Sequence, residues 1–407
     1  MQIGQANSVL QEAKQSAGIV LQWLSTRTNW LMVYDGADGH YQTVEKYFPP
    51  GNEGNILITS RNVGLKRITL ESMQVLDMAE EEAVSLLLKS ARLDGMSEKN
   101  SNLARKLASE LGGIPIALDQ AGAYMLTTQC GIANYLELFT NHKHELMSDS
   151  DFKGASDYDR TTYGTWEISM QNIENIAAKN TGEESLAAQS AIKILRIVAF
   201  LDHVNIPEKL FVIAAENYMK RNAEDEADLH LPLSIRCLDH QTLFLSNEGV
   251  WEKLKFLAGI KVLISLSFIE AHSQIYSLHL LVHSWIRNRL PKAERKKLYH
   301  KARALLSCSV IADHNLDHYA FCELLALHVR SNSALNASEF KLQSTYYEDE
   351  YQNFAFLFRH VGDWKEAEKF LLVQTDWRTT MFGPENPQTL VSISGLASTY
   401  WNQGRWD

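Results

Sequence analysis

The chain has 407 residues, enough for two to four domains of roughly 100–200 residues each. Its hydrophobic content of 45% and charged content of 22% are those of an ordinary globular protein. The formal net charge of −10 argues against general nucleic-acid binding, and the basic cluster within 287–297 is more simply explained as a solvated helix face. Four cysteines without a C-x-x-C pair favour a reduced, cytoplasmic chain without a zinc site. The sequence has neither a signal-peptide core nor a run of about 18 apolar residues, so we expect no membrane association.

The first part of the chain predicts a small parallel sheet. Residues 5–28 have helical periodicity, and the apolar runs 30–34 and 55–59 predict parallel strands buried on both faces. A weaker pattern near 68–70 suggests a third strand. Because so few strands would leave a sheet edge bare, we expect the chain to begin inside a domain.

Charged side chains follow both predicted strands. Asp35 comes directly after the first strand, and Arg61 comes just after the second. Ligands of open α/β sheets bind beyond the carboxyl ends of the strands, so we expect the two residues to converge on a phosphate pocket. The glycine-rich phosphate loop G-x-x-x-x-G-K-S/T, which would complete a nucleotide site, does not occur in the 407 residues.

From residue 79 onward the pattern is mainly helical. A linker is expected at 148–164, and a hairpin around Ala271–Ser273 lies between helices, an order that fits a winged-helix module. Pro115 fits the first position of a helix, and Pro291 should end one. Helices are expected from 79 and from 114, and at 97–111, 131–147, 165–178, 186–201, 207–220, 253–266, 278–290 and 292–340.

The C-terminal part contains an internal repeat. The pattern of Ala355, Phe358, Gly362 and Trp364 recurs 42 residues later as Ala397, Tyr400, Gly404 and Trp406. A small alanine beneath an aromatic ring lets two helices approach, and the glycine turns the chain between them. Helix pairs at a fixed period indicate a solenoid, here with a period longer than the usual ~34 residues of tetratricopeptide repeats. Because at least ~3 repeats are normally needed, we expect the repeat array to be truncated.

Several of these segments together resemble one family. Residues 30–38 resemble the Walker B strand of NB-ARC domains, which are signal-transduction (STAND) ATPases, and 56–61 resemble their sensor strand. Residues 111–118 (LGGIPIAL) are similar to the GLPL motif, and 277–285 (SLHLLVHSW) to the MHD-type histidine motif. Residues 382–390 and 402–406 resemble kinesin-light-chain-type tetratricopeptide repeats. The combination is similar to the NB-ARC–tetratricopeptide proteins of filamentous fungi, here as a fragment without the phosphate loop.

The resemblance implies a role for four residues. Asp35 would hold Mg²⁺, and Arg61 would sense the γ-phosphate. Pro115 would pack on the adenine ring, and His279 would touch the β-phosphate of ADP and hold the winged helix closed. Gly36 stands where many relatives have a second acid, so we expect little ATP hydrolysis.

Each of these residues also has a plain structural explanation. Asp35 can cap a turn, Arg61 can form a surface ion pair, and Pro115 can simply begin a helix. His279 can be a satisfied core histidine; with His283 it has the spacing of a zinc pair, but a third ligand is not nearby.

The expected fold is mainly α-helical and consists of four parts. They are a truncated P-loop α/β domain (1–78), a helical domain (79–150), a winged-helix and helical linker region (151–335) and α-solenoid repeats (336–407). The expected function is an ADP/ATP-binding signalling switch whose repeats bind a protein or peptide, with self-association on activation. The alternative is a non-enzymatic tetratricopeptide scaffold for protein–protein interaction.

Overall fold

The computed structural model describes residues 18–37, 41–51, 53–93, 98–148, 162–179, 181–225, 237–311, 318–336, 340 and 348–405. The chain divides into two compact units. The first comprises Met1–Leu76 with Lys261–Phe268, and the second comprises Asp77–Ile260 with Ile269–Asp407. Each unit is described by itself.

The first unit contains a parallel pair of strands, β1 (Leu31–Tyr34) and β2 (Asn55–Ile58). Helix α1 covers residues 18–25, and the short helix α2 (Tyr41–Glu45) connects the two strands. A parallel connection needs such a crossover, and both strands were expected from their apolar runs.

Two expectations for this unit are wrong. Both strands alternate between exposed and half-buried residues instead of being buried on both faces; Leu31, Val33 and Leu57 are all more than half exposed. The expected third strand near 68–70 is not formed: a 3₁₀ turn, Val63–Arg67, ends there, and Leu70 is fully exposed. An apolar run is compatible with a strand in either environment, because burial depends on what covers the sheet.

The second unit is mainly helical. Its helices before the hairpin are α3 (Glu80–Ser90), α4 (Glu98–Glu110), α5 (Pro115–Thr128), α6 (Ile132–Ser148), α7 (Thr162–Ala177), α8 (Glu183–Val198), α9 (Glu208–Asp225) and α10 (Lys253–Ser265), the last of which runs into the first unit. Pro115 occupies the first turn of α5, as expected. Helix α7 begins three residues earlier than the sequence pattern suggested.

Two glycines let helices of the second unit approach closely. A Cβ atom on Gly122 of α5 would lie 2.4 Å from the Cβ of Ser90. A Cβ atom on Gly259 of α10 would lie 2.8 Å from the backbone of Ser190 and Ala191 in α8. Contacts this short cannot accommodate a side chain, so both positions require glycine.

The expected hairpin is present and has a third strand. β4 (Glu270–His272) and β5 (Ile275–Ser277) pair antiparallel, and β3 (Ile206–Pro207) adds to the other side of β5. The hairpin turn lies at Ser273 and Gln274, both with positive φ, so it overlaps the C-terminal end of the expected segment Ala271–Ser273. β3 escaped prediction because it has two residues and contains a proline, which is tolerated only in an edge strand such as this one.

The helices after the hairpin are α11 (Leu280–Arg289), α12 (Lys292–Cys308), α13 (Tyr319–Leu335), α14 (Glu348–His360), α15 (Trp364–Phe382) and α16 (Pro387–Asn402). The expected continuous helix over 292–340 is wrong, because α12 ends at Cys308 and α13 begins anew at Tyr319. Pro291 follows the end of α11, as expected.

The two halves of the predicted repeat have matching turns. Gly362 follows α14 with φ +77°, and Gly404 follows α16 with φ +73°. Ala355 is buried, whereas its counterpart Ala397 is exposed. Trp406, the start of the predicted helix 5–28 and most of the predicted linker 148–164 lie outside the described residues. Among the described helices, none combines the length and apolar character needed to cross a bilayer.

Candidate functional site

The carboxyl ends of β1 and β2 carry the first group of polar side chains. Tyr34 and Ile58 are paired in the parallel register, so the residues that follow them lie side by side. Asp35 follows Tyr34 and Thr59 follows Ile58. The Thr59 hydroxyl donates a hydrogen bond of 2.6 Å to Oδ1 of Asp35, which joins the two strand ends directly.

The loop after β1 is bound to the end of β2 by further hydrogen bonds. The backbone N–H of Gly36, at φ +63°, donates to the Thr59 hydroxyl at 2.9 Å. The N–H of Ala37 donates to the Thr59 carbonyl at 2.9 Å, and the Ser60 hydroxyl donates to the Ala37 carbonyl at 2.8 Å. Thr59 therefore fixes the Asp35 carboxylate by accepting from the backbone and donating to the side chain.

Arg61 lies two residues beyond Thr59 and is exposed, as is Asp35. It stands at the start of the turn that Asn62 caps by accepting a hydrogen bond from the Gly64 N–H. The prediction named Asp35 and Arg61 but gave no role to Thr59. The strand register could have indicated Thr59, because Thr59 directly follows β2 as Asp35 directly follows β1, and the two positions are paired.

A glycine turn in the second unit precedes Pro115. Gly112 and Gly113 have φ of +65° and +68°, a conformation that L side chains rarely adopt. The carbonyl of Gly113 accepts a hydrogen bond of 3.1 Å from the Met78 N–H. The chain then enters α5 at Pro115, which is exposed at the start of the helix.

His279 binds this glycine turn. Its Nδ1 accepts a hydrogen bond of 3.1 Å from the Leu281 N–H and so caps α11. The proton is therefore on Nε2, which donates to the Gly112 carbonyl oxygen at 3.0 Å. A Cβ atom on Gly112 would lie 2.2 Å from Cε1 of His279, so only glycine permits this contact. Oδ2 of Asp77 is 3.8 Å from the same Nε2.

The four predicted residues thus lie in two places. Asp35 and Arg61 follow β1 and β2 in the first unit, whereas in the second unit Pro115 follows the glycine turn that His279 binds. Both ring nitrogens of His279 have backbone partners, which agrees with the plain explanation of a satisfied histidine. The same bonds make His279 a latch between α11 and the turn before α5.

The oxygen donors at the strand ends suit one kind of magnesium site. Mg²⁺ in nucleotide sites is held by one or two protein oxygens together with substrate phosphates. The Asp35 carboxylate and the Thr59 hydroxyl are donors of this kind. Within the described residues, no cluster of three or more His, Cys, Asp or Glu side chains is arranged to hold a metal by itself. A cation at these donors would need further ligands, such as the phosphates of a nucleotide.

Comparison with known proteins gives one relevant similarity. No family model matches the chain. Over 201 residues the chain is 28% identical to a protein of Hyaloscypha variabilis named "Nucleotide-binding leucine-rich repeat (NLR)-like protein". The match covers 41% of this chain and 20% of that protein.

This similarity supports an NLR-like family. The aligned part of the chain spans only 20% of the length of the NLR-like relative. The relative's name specifies leucine-rich repeats, which have a β-strand in each repeat. In the described residues 348–405 of this chain the repeat region contains helices instead.

Proposed function

We propose that the chain works in a nucleotide-dependent signalling switch of the NLR-like kind, with ADP favouring the closed state. The observation that best supports the proposal is the Thr59–Asp35 hydrogen bond, which fixes a carboxylate at the shared end of two parallel strands. That edge is where open α/β sheets bind ligands. The nucleotide-binding name of the similar fungal protein agrees with it.

Each site residue has a proposed task in this switch. Asp35, positioned by Thr59, would hold Mg²⁺ that arrives with the nucleotide, and Arg61 would donate to the terminal phosphate. Pro115 would lie against the adenine ring. His279 would hold α11 on the glycine turn in the closed state, through the bond that it makes to Gly112.

A switch also requires that the two nucleotides bind its two states with different free energies. ADP would favour the state in which His279 binds Gly112, and ATP would favour the state in which this bond is broken. Gly36 supplies no second carboxylate beside Asp35, so we expect little hydrolysis of ATP. We propose that exchange of ADP for ATP is the step that changes the state of the switch.

The C-terminal helices would provide the sensor. Helices α14, α15 and α16 follow the 42-residue repeat, and α16 exposes the apolar side chains of Leu390, Ile393 and Trp401. We propose that this region binds a protein or peptide partner and that the protein self-associates on activation. We also propose that the hairpin segment is part of a winged-helix domain. Such helical arrays offer extended surfaces for protein binding.

Thermal unfolding with Mg²⁺ and ADP tests the nucleotide part. A ligand at ten times its Kd stabilises the folded state by about 1.4 kcal/mol, which should raise Tm by roughly 1–2 °C for a chain of this length. We expect this rise for the wild type and for Glu53→Ala, which removes an exposed carboxylate of the same unit, and a loss of the rise for Asp35→Ala. Equal curves with and without millimolar ADP in the wild type would refute nucleotide binding.

A further inference from the structure

A partly buried polar corner connects α8 to β3. It consists of residues Leu201–Asn205 and lies against α13, α11 and β5. It is joined to α13 and to β5 by hydrogen bonds. The corner therefore depends on the protonation states of the side chains that hold it.

His328 of α13 holds both ends of this corner. Its Nδ1 accepts a hydrogen bond of 3.1 Å from the Asp202 N–H. Its Nε2, which must then carry the proton, donates to the Asn205 carbonyl at 3.0 Å. The side chain is fully buried. A second proton on Nδ1 would point at the Asp202 N–H, so the geometry requires neutral imidazole.

Two more residues of α13 bind the corner and the residue directly before it. The Ser331 hydroxyl donates to Oδ2 of Asp202 at 2.5 Å. The amide of Asn332, also fully buried, donates to the Phe200 carbonyl at 3.0 Å. Beside them on α13, Arg330 pairs at 2.6 Å with Asp363, which caps α15. Helix α13 thus connects the corner to the C-terminal helices.

The opposite side of the corner holds the segment that leads to His279. The His203 carbonyl accepts a hydrogen bond of 2.7 Å from the Leu278 N–H, and the Asn205 N–H donates to the Ser277 hydroxyl at 3.2 Å. The His203 ring lies 5.9 Å from that of His283 in α11. The corner therefore lies between α13 and the start of α11.

Among the described residues, charged and titratable groups lie on the corner and on the two helices beside it. They are Asp202 and His203 on the corner itself, His283 and Arg287 on α11, and Arg330 on α13. Burial lowers the pKa of His328 to about 4, although the Asn205 carbonyl and Asp202 favour its charged form. Burial, Arg287 and His203 lower the pKa of His283 to about 3.

We propose that His328 is an acid-sensitive anchor, whose protonation releases α13 from the Asp202–Asn205 corner. A protonated ring cannot accept from the Asp202 N–H, so the bond that holds the first end of the corner is lost. Release would free the connection between the C-terminal helices and the segment before His279. The consequence for the His279 latch rests on the proposed function, whereas the release itself does not.

Hydrogen exchange of the full chain at pH 7, 6 and 5 tests the proposal. After correction for intrinsic exchange rates, protection of peptides from α13 and from the corner should fall about 20-fold between pH 7 and pH 5. This factor follows from a pKa of 6.5 in the released state and about 4 in the anchored state. Peptides of α15 serve as an internal reference for global unfolding, and the fall in α13 should exceed theirs. Unchanged protection of α13 at pH 5 would overturn the proposal.

Two variants separate the anchor from other histidines. In His328→Asn the side-chain amide can still accept a hydrogen bond near the Nδ1 position, but it cannot titrate in this range. Helix α13 should therefore lose its pH response. Its protection should also be lower than in the wild type at every pH. His300→Asn changes another histidine whose pKa burial lowers to about 4, and it should keep the wild-type response. A response of α13 relative to α15 that persists in full in His328→Asn would overturn the proposal.

If His328→Asn does not fold, NMR of the wild type with labelled histidine tests the same proposal. His328 should show the Nε2–H tautomer at pH 7, and its protonation should accompany the loss of protection in α13. The opposite tautomer would overturn the proposal. The experiments contain no nucleotide, so a failure of ADP binding would leave their outcome unaffected.

Discussion

Nε2 of His279 lies 3.0 Å from the carbonyl oxygen of Gly112, although 167 positions separate the two residues in the chain. This hydrogen bond joins the start of α11 to the turn before α5. Gly112 adopts φ +65°, and a side chain there would collide with the imidazole. The two residues therefore depend on each other for both geometry and space.

We predict that Gly112→Ala destabilises the wild type more than it destabilises His279→Ala. In the wild type the new methyl group meets the imidazole and the left-handed backbone is strained by about 1–2 kcal/mol; without the imidazole only the strain stays. His279→Ala alone should cost about 0.5–2 kcal/mol, because it removes a helix cap. Urea unfolding of the four proteins measures the coupling.

The matched control for this cycle is Gly362→Ala. Gly362 has φ +77°, and a Cβ atom there would meet no atom within 4 Å, so only backbone strain is expected. Its cost should be the same with and without His279→Ala. Additive costs for Gly112→Ala and His279→Ala would show that the contact between the two residues does not contribute to stability.

We predict that Thr59→Val weakens binding of Mg²⁺ and ADP while Thr59→Ser preserves it. The valine has the shape of threonine but cannot donate to Asp35 or accept from the Gly36 N–H. The loss of stability should stay near 0.5–1.5 kcal/mol, because both groups are exposed to water. Calorimetric titration with ADP measures the affinity; equal affinities for valine and serine would contradict the role of Thr59.

We predict that single changes in the Arg303–Glu350 pair are severe. The two side chains are 4% and 0% exposed and lie 2.7 Å apart, and the guanidinium also lies over the ring of Phe354. Arg303→Met or Glu350→Leu alone should cost about 3–5 kcal/mol, because each leaves a buried charge without its partner. The double variant should recover much of this loss.

An exposed pair provides the comparison. Arg105 and Glu80 lie 3.4 Å apart with side chains that are 51% and 65% exposed. Arg105→Ala should change stability by about 0–1 kcal/mol, since water and salt screen such pairs. A loss of similar size in Arg105→Ala and Arg303→Met would contradict the assignment of Arg303–Glu350 as a buried pair on which α12 and α14 depend.

We predict that the free energy of unfolding falls as the pH decreases from about 6.5 to about 4. Burial lowers the pKa of His283 to about 3 and that of His328 to about 4, below the ordinary 6.5. The unfolded chain therefore binds more protons than the folded chain in this range, and stability decreases by up to about 1.4 kcal/mol per pH unit for each histidine. Denaturant unfolding at several pH values measures the slope.

Asp202 contributes in a lower pH range. Burial opposes its charge, but hydrogen bonds from His203 and Ser331 hold the pKa of its carboxyl far below the ordinary value. Its stabilising effect should be lost only below about pH 4, where the unfolded carboxyl takes up its proton. A stability that is constant between pH 6.5 and 4 would contradict the buried neutral state of the two histidines.

Periodicity and turn residues were sufficient to predict most elements. The apolar runs predicted β1 and β2, Pro115 marked the start of α5, and the segment around Ala271–Ser273 marked the hairpin. Single-sequence patterns could not give burial, because the exposed faces of β1 and β2 depend on packing that lies far away in sequence. The break between α12 and α13 was missed for a similar reason: helical periodicity continues through it.

The site was only partly predictable. Asp35 and His279 were found because both stand in recognisable motifs. Thr59 has no motif of its own and becomes visible only through the register of the parallel strands. The partner of His279 is the backbone carbonyl of Gly112, and a backbone contact does not depend on a particular side chain. The unusual Gly112-Gly113 pair is therefore the only feature of the sequence that indicates it. His328 gave no signal, since its partners are the backbone of a distant corner.

The most direct test of the switch is hydrogen exchange at the latch in the presence of Mg²⁺ with either ADP or a non-hydrolysable ATP analogue. Peptides that contain Gly112 and the start of α11 should be more protected with ADP than with the analogue, and His279→Ala should abolish this difference. Equal protection in both nucleotides would contradict a switch that acts through the His279–Gly112 bond.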